Sequence, residues 1–146
     1  MIHFYIENIL LRLSISPIIQ TFEVVKQREG NDEGYIRVKC NLFNSDIFEF
    51  SEYLVLEKDS IVIKRYNFHW QKSDGTLITR WDNVEHHPEI KSFPHHVHEG
   101  EEKVSESDSR ISTRLSRSLK IDCIELKEIK DLFEQNLEVF DVFYQH

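Results

Sequence analysis

The sequence predicts an α+β fold: an antiparallel five-stranded meander sheet with an N-terminal helix and a C-terminal helix packed on it. Three observations carry this expectation. Apolar residues recur at helical spacing near the N terminus and again after residue 122. Between them lie five segments that alternate apolar and polar residues or are rich in β-branched and aromatic residues. The links between those segments are short and built from Gly, Asn, Asp and Ser, which suits hairpins rather than crossovers.

The elements follow in order. Phe4, Ile6, Ile9, Leu10, Leu11 and Leu13 predict an amphipathic helix over 4–14. Pro17 ends it and launches the first strand, Ile18–Gln27, which closes at the turn residues Gly30-Asn31-Asp32. Tyr35–Leu42 is the second strand, with Ile36, Val38 and Cys40 alternating with Arg37, Lys39 and Asn41. Asn44-Ser45-Asp46 turns the chain into Ile47–Leu56, and Glu57-Lys58-Asp59 leads to Ser60–Gln71. Ser73-Asp74-Gly75-Thr76 then leads to Leu77–Asp82. Glu85 to Pro94 carries two prolines and no periodicity, so it is a loop. Glu99–Arg117 is polar and rich in Ser and charge, and is expected to be mobile or a surface excursion. Asp122 with Glu125 resembles a capping box. The helix that follows, to about Phe143, sets Ile129, Leu132, Phe133, Asn136, Phe140 and Phe143 on roughly one face.

Bulk properties narrow the class. A length of 146 residues suits one domain, 1–146, with a real core. No apolar run is long enough to cross a bilayer, and the first residues lack the basic region of a secretory signal. A cytoplasmic, soluble protein is expected. Cys40 and Cys123 lie far apart and form no CxxC pair, so buried free thiols are the default. The formal net charge of −8 argues against broad electrostatic binding to nucleic acid, yet leaves room for a local basic site at Lys64, Arg65 and Arg80. The few glycines form no phosphate loop, and no GxSxG is present.

Asp74-Gly75 is a strong hairpin signal. A two-residue turn there pairs Thr76 with Ser73, Leu77 with Lys72, Ile78 with Gln71 and Thr79 with Trp70. It then sets Arg80 opposite His69, Trp81 opposite Phe68 and Asp82 opposite Asn67. Alternation places Tyr66, Phe68, Trp70 and Trp81 on one packing face. Arg65, Asn67, His69, Arg80 and Asp82 fall on the other. A solvated sheet face would be polar too. What separates the two readings is the histidine-bearing loop just after Asp82, which can fold back over this face.

Of eight histidines, His69, His86, His87, His95, His96 and His98 fall within thirty residues. Histidine both gives and takes a proton near neutral pH and is the commonest metal ligand. Three fates are open. In acid–base chemistry on RNA, histidines carry protons, Arg80 or Arg65 holds the phosphate and Asp82 orients a ring. In metal binding, His96 and His98 share one side of an extended segment, and Asp82, His86 or His87 completes the shell. Adjacent histidines should point different ways, and the spacing matches no standard zinc motif. In the structural fate, single rings bond backbone carbonyls, which accounts for any one histidine more readily than for six.

The stretch Arg65-Tyr66-Asn67-Phe68-His69-Trp70-Gln71, Asp74-Gly75, Arg80-Trp81-Asp82-Asn83, His86-His87-Pro88-Glu89 and Phe93-Pro94-His95-His96-Val97-His98 resembles the TumE-like proteins. These are small prokaryotic toxins of type II toxin–antitoxin modules. The resemblance implies a toxin neutralised by a cognate antitoxin, often one with a helix-turn-helix DNA-binding domain. Ribonuclease chemistry is the further step suggested by the His/Arg/Asp set.

The expectation is therefore a toxin acting as a metal-independent endoribonuclease on an RNA substrate, with no membrane association, no cofactor and no metal residue assigned. The alternative is a histidine-rich metal-binding or non-catalytic interaction module. The catalytic candidates are His69, Arg80, Asp82, His87, His96 and His98. The substrate-binding candidates are Arg65, Asn67 and Asn83.

Overall fold

The structure is a computed structural model, and it describes residues 1–100 and 103–106. It contains helix α1 (Ile2–Ile15) and strands β1 (Ile19–Glu29), β2 (Glu33–Leu42), β3 (Ile47–Glu57), β4 (Ser60–Gln71), β5 (Leu77–Asp82), β6 (His96–Glu99) and β7 (Lys103–Glu106). The strands form one antiparallel sheet in chain order, β1 through β7. The α+β meander with an N-terminal helix is as the sequence predicts. The strand number is not: there are seven among the described residues, not five.

The two extra strands take up His96–Glu99 and the first part of Glu99–Arg117, the segment expected to be mobile or a surface excursion. His96-Val97-His98-Glu99 and Lys103-Val104-Ser105-Glu106 are four-residue ribbons on either side of Gly100, which takes a positive φ of 66°. Each is too short and too charged to display an alternation of its own. They are strands because β5 offers a free edge: Trp81 pairs with Val97 and Asp82 with His96. The expected C-terminal helix lies outside the described residues, as does Cys123.

One face of the sheet carries the core. Ile2, Tyr5, Ile6, Ile9 and Leu13 form the buried stripe of α1. They meet Ile36, Val38 and Cys40 of β2, Phe50 and Leu54 of β3, Tyr66 and Phe68 of β4, and Trp81 of β5. Full burial of each large side chain contributes roughly 1.5–3 kcal/mol, so this one face supplies most of the drive for folding. The start of α1 approaches β2 so closely that a Cβ on Gly34 would stand 2.5 Å from Ile2 Cγ2. The core holds one buried acid, Glu52, whose Oε2 accepts a 2.7 Å hydrogen bond from the Tyr5 hydroxyl. That bond ties helix to sheet at the polar point of an apolar layer.

The β4–β5 hairpin positions the site. His69 faces Arg80, Phe68 faces Trp81 and Asn67 faces Asp82, as alternation from Asp74-Gly75 requires. The turn itself departs from a two-residue loop. Gly75 N–H bonds Lys72 O at 3.0 Å, Lys72 N–H bonds Thr76 O at 2.9 Å, and Gly75 is at φ 91° while Asp74 is not at positive φ. This is a three-residue loop of the type I plus bulge kind, because only the glycine need be left-handed. It pairs Gln71 with Leu77 rather than with Ile78. A bulge between Trp70 and Gln71 then absorbs one residue and restores the expected register from Trp70–Thr79 onward.

Cys40 is buried in the centre of the core, and burial pushes its thiol up to about 12. It should therefore resist iodoacetamide in the native protein and react once guanidinium unfolds it, as peptide mapping would read. Native labelling at the rate of an exposed thiol would contradict the core assignment.

Candidate functional site

The face opposite α1 is polar, and its rows cross the strands. One row runs Glu49, His69, Arg80, His98 from β3 to β6. The next runs Ser51, Asn67, Asp82, His96. The loop from Asn83 to His95 returns over this face and sets the His86 and His87 rings against those of His96 and His98. Ring centroids are 4.5 Å apart for His86–His96 and 4.9 Å for both His87–His96 and His96–His98. One nitrogen from each of the four rings lies within 4.8 Å of the others.

Asp82 is the hub. It is 1% exposed, on the last residue of β5. Its Oδ2 accepts from Arg80 Nε at 3.0 Å, and its Oδ1 accepts from Val84 N–H at 3.1 Å, which turns the chain into the loop. Arg80 also donates from NH2 to His98 Nε2 at 2.8 Å. The guanidinium has five N–H donors. Two are thus engaged, the side chain is 30% exposed, and the remaining donors are available to an anion.

The hydrogen bonds fix ring tautomers. His96 Nδ1 lies 2.9 Å from Pro94 O, and His87 Nδ1 lies 2.9 Å from Glu89 Oε1. A carbonyl and a carboxylate only accept, so both Nδ1 atoms carry the proton. When neutral, either ring presents its lone pair at Nε2. For His96, 1% exposed, that Nε2 has no hydrogen-bond partner, although Asp82 Oδ1 is 3.0 Å away. His98 differs. Its Nε2 accepts from Arg80, and burial, then the positive charge of Arg80, push its imidazole down to about 4. It is neutral at neutral pH.

Other candidates are placed less centrally. His69 is half-buried beside Arg80 in the neighbouring strand, and its Nε2 donates to Gln71 Oε1 at 2.9 Å. It is not one of the four clustered rings. Arg65 is exposed, and Asn67 is half-buried opposite Asp82. Asn83 spends both ends of its amide on the backbone of β4: Oδ1 accepts from Tyr66 N–H and Nδ2 donates to Lys64 O, each at 2.9 Å. His95 points to the core side, where Nδ1 meets the Tyr66 hydroxyl at 2.9 Å and the rings stack. His86 joins the cluster although it is absent from the sequence-derived catalytic set. The rule that adjacent histidines diverge holds for strands, and His86-His87 lies in an irregular loop, where the two rings sit 4.3 Å apart.

The fold and site together define an α+β meander protein with a histidine, arginine and aspartate site on its open sheet face. A family model described as toxin TumE matches residues 6–131, and the chain belongs to that family. No curated protein and no solved structure matches the chain. The family implies a toxin of a toxin–antitoxin system, with a cognate antitoxin as partner. Among the described residues no helix is long and apolar enough to cross a membrane.

Asn83→Ala removes two hydrogen bonds that tie the end of β5 to the middle of β4. It should lower stability by about 1–3 kcal/mol in urea unfolding. Unchanged stability would return Asn83 to the pool of substrate contacts.

Proposed function

We propose that this toxin is an endoribonuclease that cleaves RNA by proton transfer among its own side chains. The observation that carries the reading is the preorganised Arg80, held by Asp82 and His98 with donors to spare, together with His87, whose ring packs on that of His98 and whose Nδ1–H is held by Glu89, leaving Nε2 as the site for a proton. The reaction breaks the P–O5′ bond by attack of the adjacent 2′-hydroxyl. His87 Nε2 takes the 2′ proton, with Glu89 stabilising the imidazolium that forms. Arg80 neutralises charge on the non-bridging oxygens. His69 returns a proton to the 5′ oxygen, and the products are a cyclic phosphate and a free 5′-hydroxyl.

The remaining site residues support these. His96 is too buried to touch RNA and acts, with Asp82, as a positioning group. His98, neutral and capped by Arg80, holds the guanidinium rather than donating a proton. Arg65 and Asn67 share the open face and suit contacts to the phosphate and ribose that flank the cleaved bond. In this reading the partner is a helix-turn-helix antitoxin that covers the polar face, and the toxin works in the cytoplasm.

The test is cleavage of total RNA by the purified full chain in excess EDTA. Wild type should cut, and Arg80→Ala, His87→Ala and His69→Ala should each cut about 10²-fold or more slowly with native unfolding curves. Full activity in the folded Arg80→Ala and His87→Ala variants would overturn the assignment.

A further inference from the structure

The four clustered rings have a second capacity. We infer that His86, His87, His96 and His98 form a binding site for one divalent transition-metal ion of the zinc class. The inference goes beyond the ribonuclease reading and does not need it.

Four lines of observation support it. One nitrogen from each ring falls within 4.8 Å of the others. Around zinc, with Zn–N of about 2.05 Å, tetrahedral ligand nitrogens stand about 3.3 Å apart. His86 and His87 ride on an irregular loop, so side-chain rotation suffices to draw the four together. His96 is 1% exposed, and its Nε2, 3.0 Å from Asp82 Oδ1, makes no hydrogen bond. A buried ring nitrogen left without a hydrogen bond is costly, and an ion beside that carboxylate relieves it. The outer contacts are also those of a metal site. Histidine ligands ordinarily donate their other N–H to a carboxylate or backbone carbonyl, and His87 does so to Glu89 and His96 to Pro94 O. Finally, the donor set is all imidazole with a carboxylate adjacent, which selects zinc, nickel or copper over magnesium or calcium.

Arg80 bears on the result. It caps the His98 lone pair through NH2 and is held by Asp82 through Nε. An ion at the cluster takes over that lone pair, while Asp82 retains the guanidinium and balances its charge. The ion also occupies His87 Nε2, the atom assigned above as proton acceptor. If that assignment is right, the loaded protein is inactive on RNA and removal of the ion restores cleavage.

The experiment uses the untagged full chain, stripped with chelator and titrated with cobalt(II) and then zinc, in the absence of RNA. Cobalt should bind at one ion per chain with the visible absorption of a histidine-bound ion, and one equivalent of zinc should displace it. His86→Ala and His87→Ala, both on the loop and away from the core, should each weaken binding by at least tenfold. Glu89→Gln should weaken it roughly 10- to 100-fold, as outer-shell partners do. His69→Ala should bind as wild type does, and that variant separates the two readings because it should lose RNA cleavage while keeping the ion. Absence of stoichiometric binding, or binding that is unchanged in both His86→Ala and His87→Ala, would overturn the ion site and leave the ribonuclease reading standing.

Discussion

The alternation of side chains across β4, β5 and β6 is the constraint on which the rest depends. Phe68, Trp81 and Val97 pair across these strands toward α1, while His69, Arg80 and His98 pair across them toward the other face. A slip of one residue would exchange the two sets. It would expose Phe68 and Trp81, forfeiting several kcal/mol of apolar burial, and drive Arg80 and Asp82 into an apolar layer at greater cost still. The hydrophobic core therefore sets the register of the polar site. The same pairing that stabilises the sheet aligns His96 with Asp82 and His98 with Arg80.

Small irregularities make this register compatible with the turn chemistry. The three-residue loop through Gly75 shifts the first pair after the turn, and the bulge beside Trp70 shifts the chain back. At the far end of β5, Asp82 continues the compromise. Its side chain caps Val84 N–H and starts the loop, while the same carboxylate anchors Arg80 and approaches His96. One buried acid thus terminates a strand, directs the returning loop and organises the basic groups of the site. A buried carboxylate is stable only when its oxygens are so engaged.

Much of this was legible in the sequence. The helix, the five longer strands and the two-faced hairpin follow from periodicity, since each element is long enough to show several repeats of its own pattern. β6 and β7 were hidden because four residues show only two repeats, and the charges of Glu99, Lys103 and Glu106 read as loop. Arg80, Asp82, His87, His96 and His98 were drawn into the candidate site by residue type and alternation. His86 entered only as one option for a metal shell, because the geometry of an irregular loop follows from its tertiary partners and not from residue spacing. Asn83 illustrates the converse. Its residue type suits a substrate contact, but its position one residue beyond a strand makes it a clamp on the neighbouring backbone. No sequence pattern separates these two uses.

The returning loop and the sheet together gather imidazole nitrogens of His86, His87, His96 and His98 around one point. Long-range ¹H–¹⁵N NMR of the histidine rings in the chelator-stripped protein tests it most directly. His87 and His96 should carry their protons on Nδ1, with pyridine-like Nε2 resonances, and His98 should also have a pyridine-like Nε2. An Nε2-protonated ring at either His87 or His96 would contradict it.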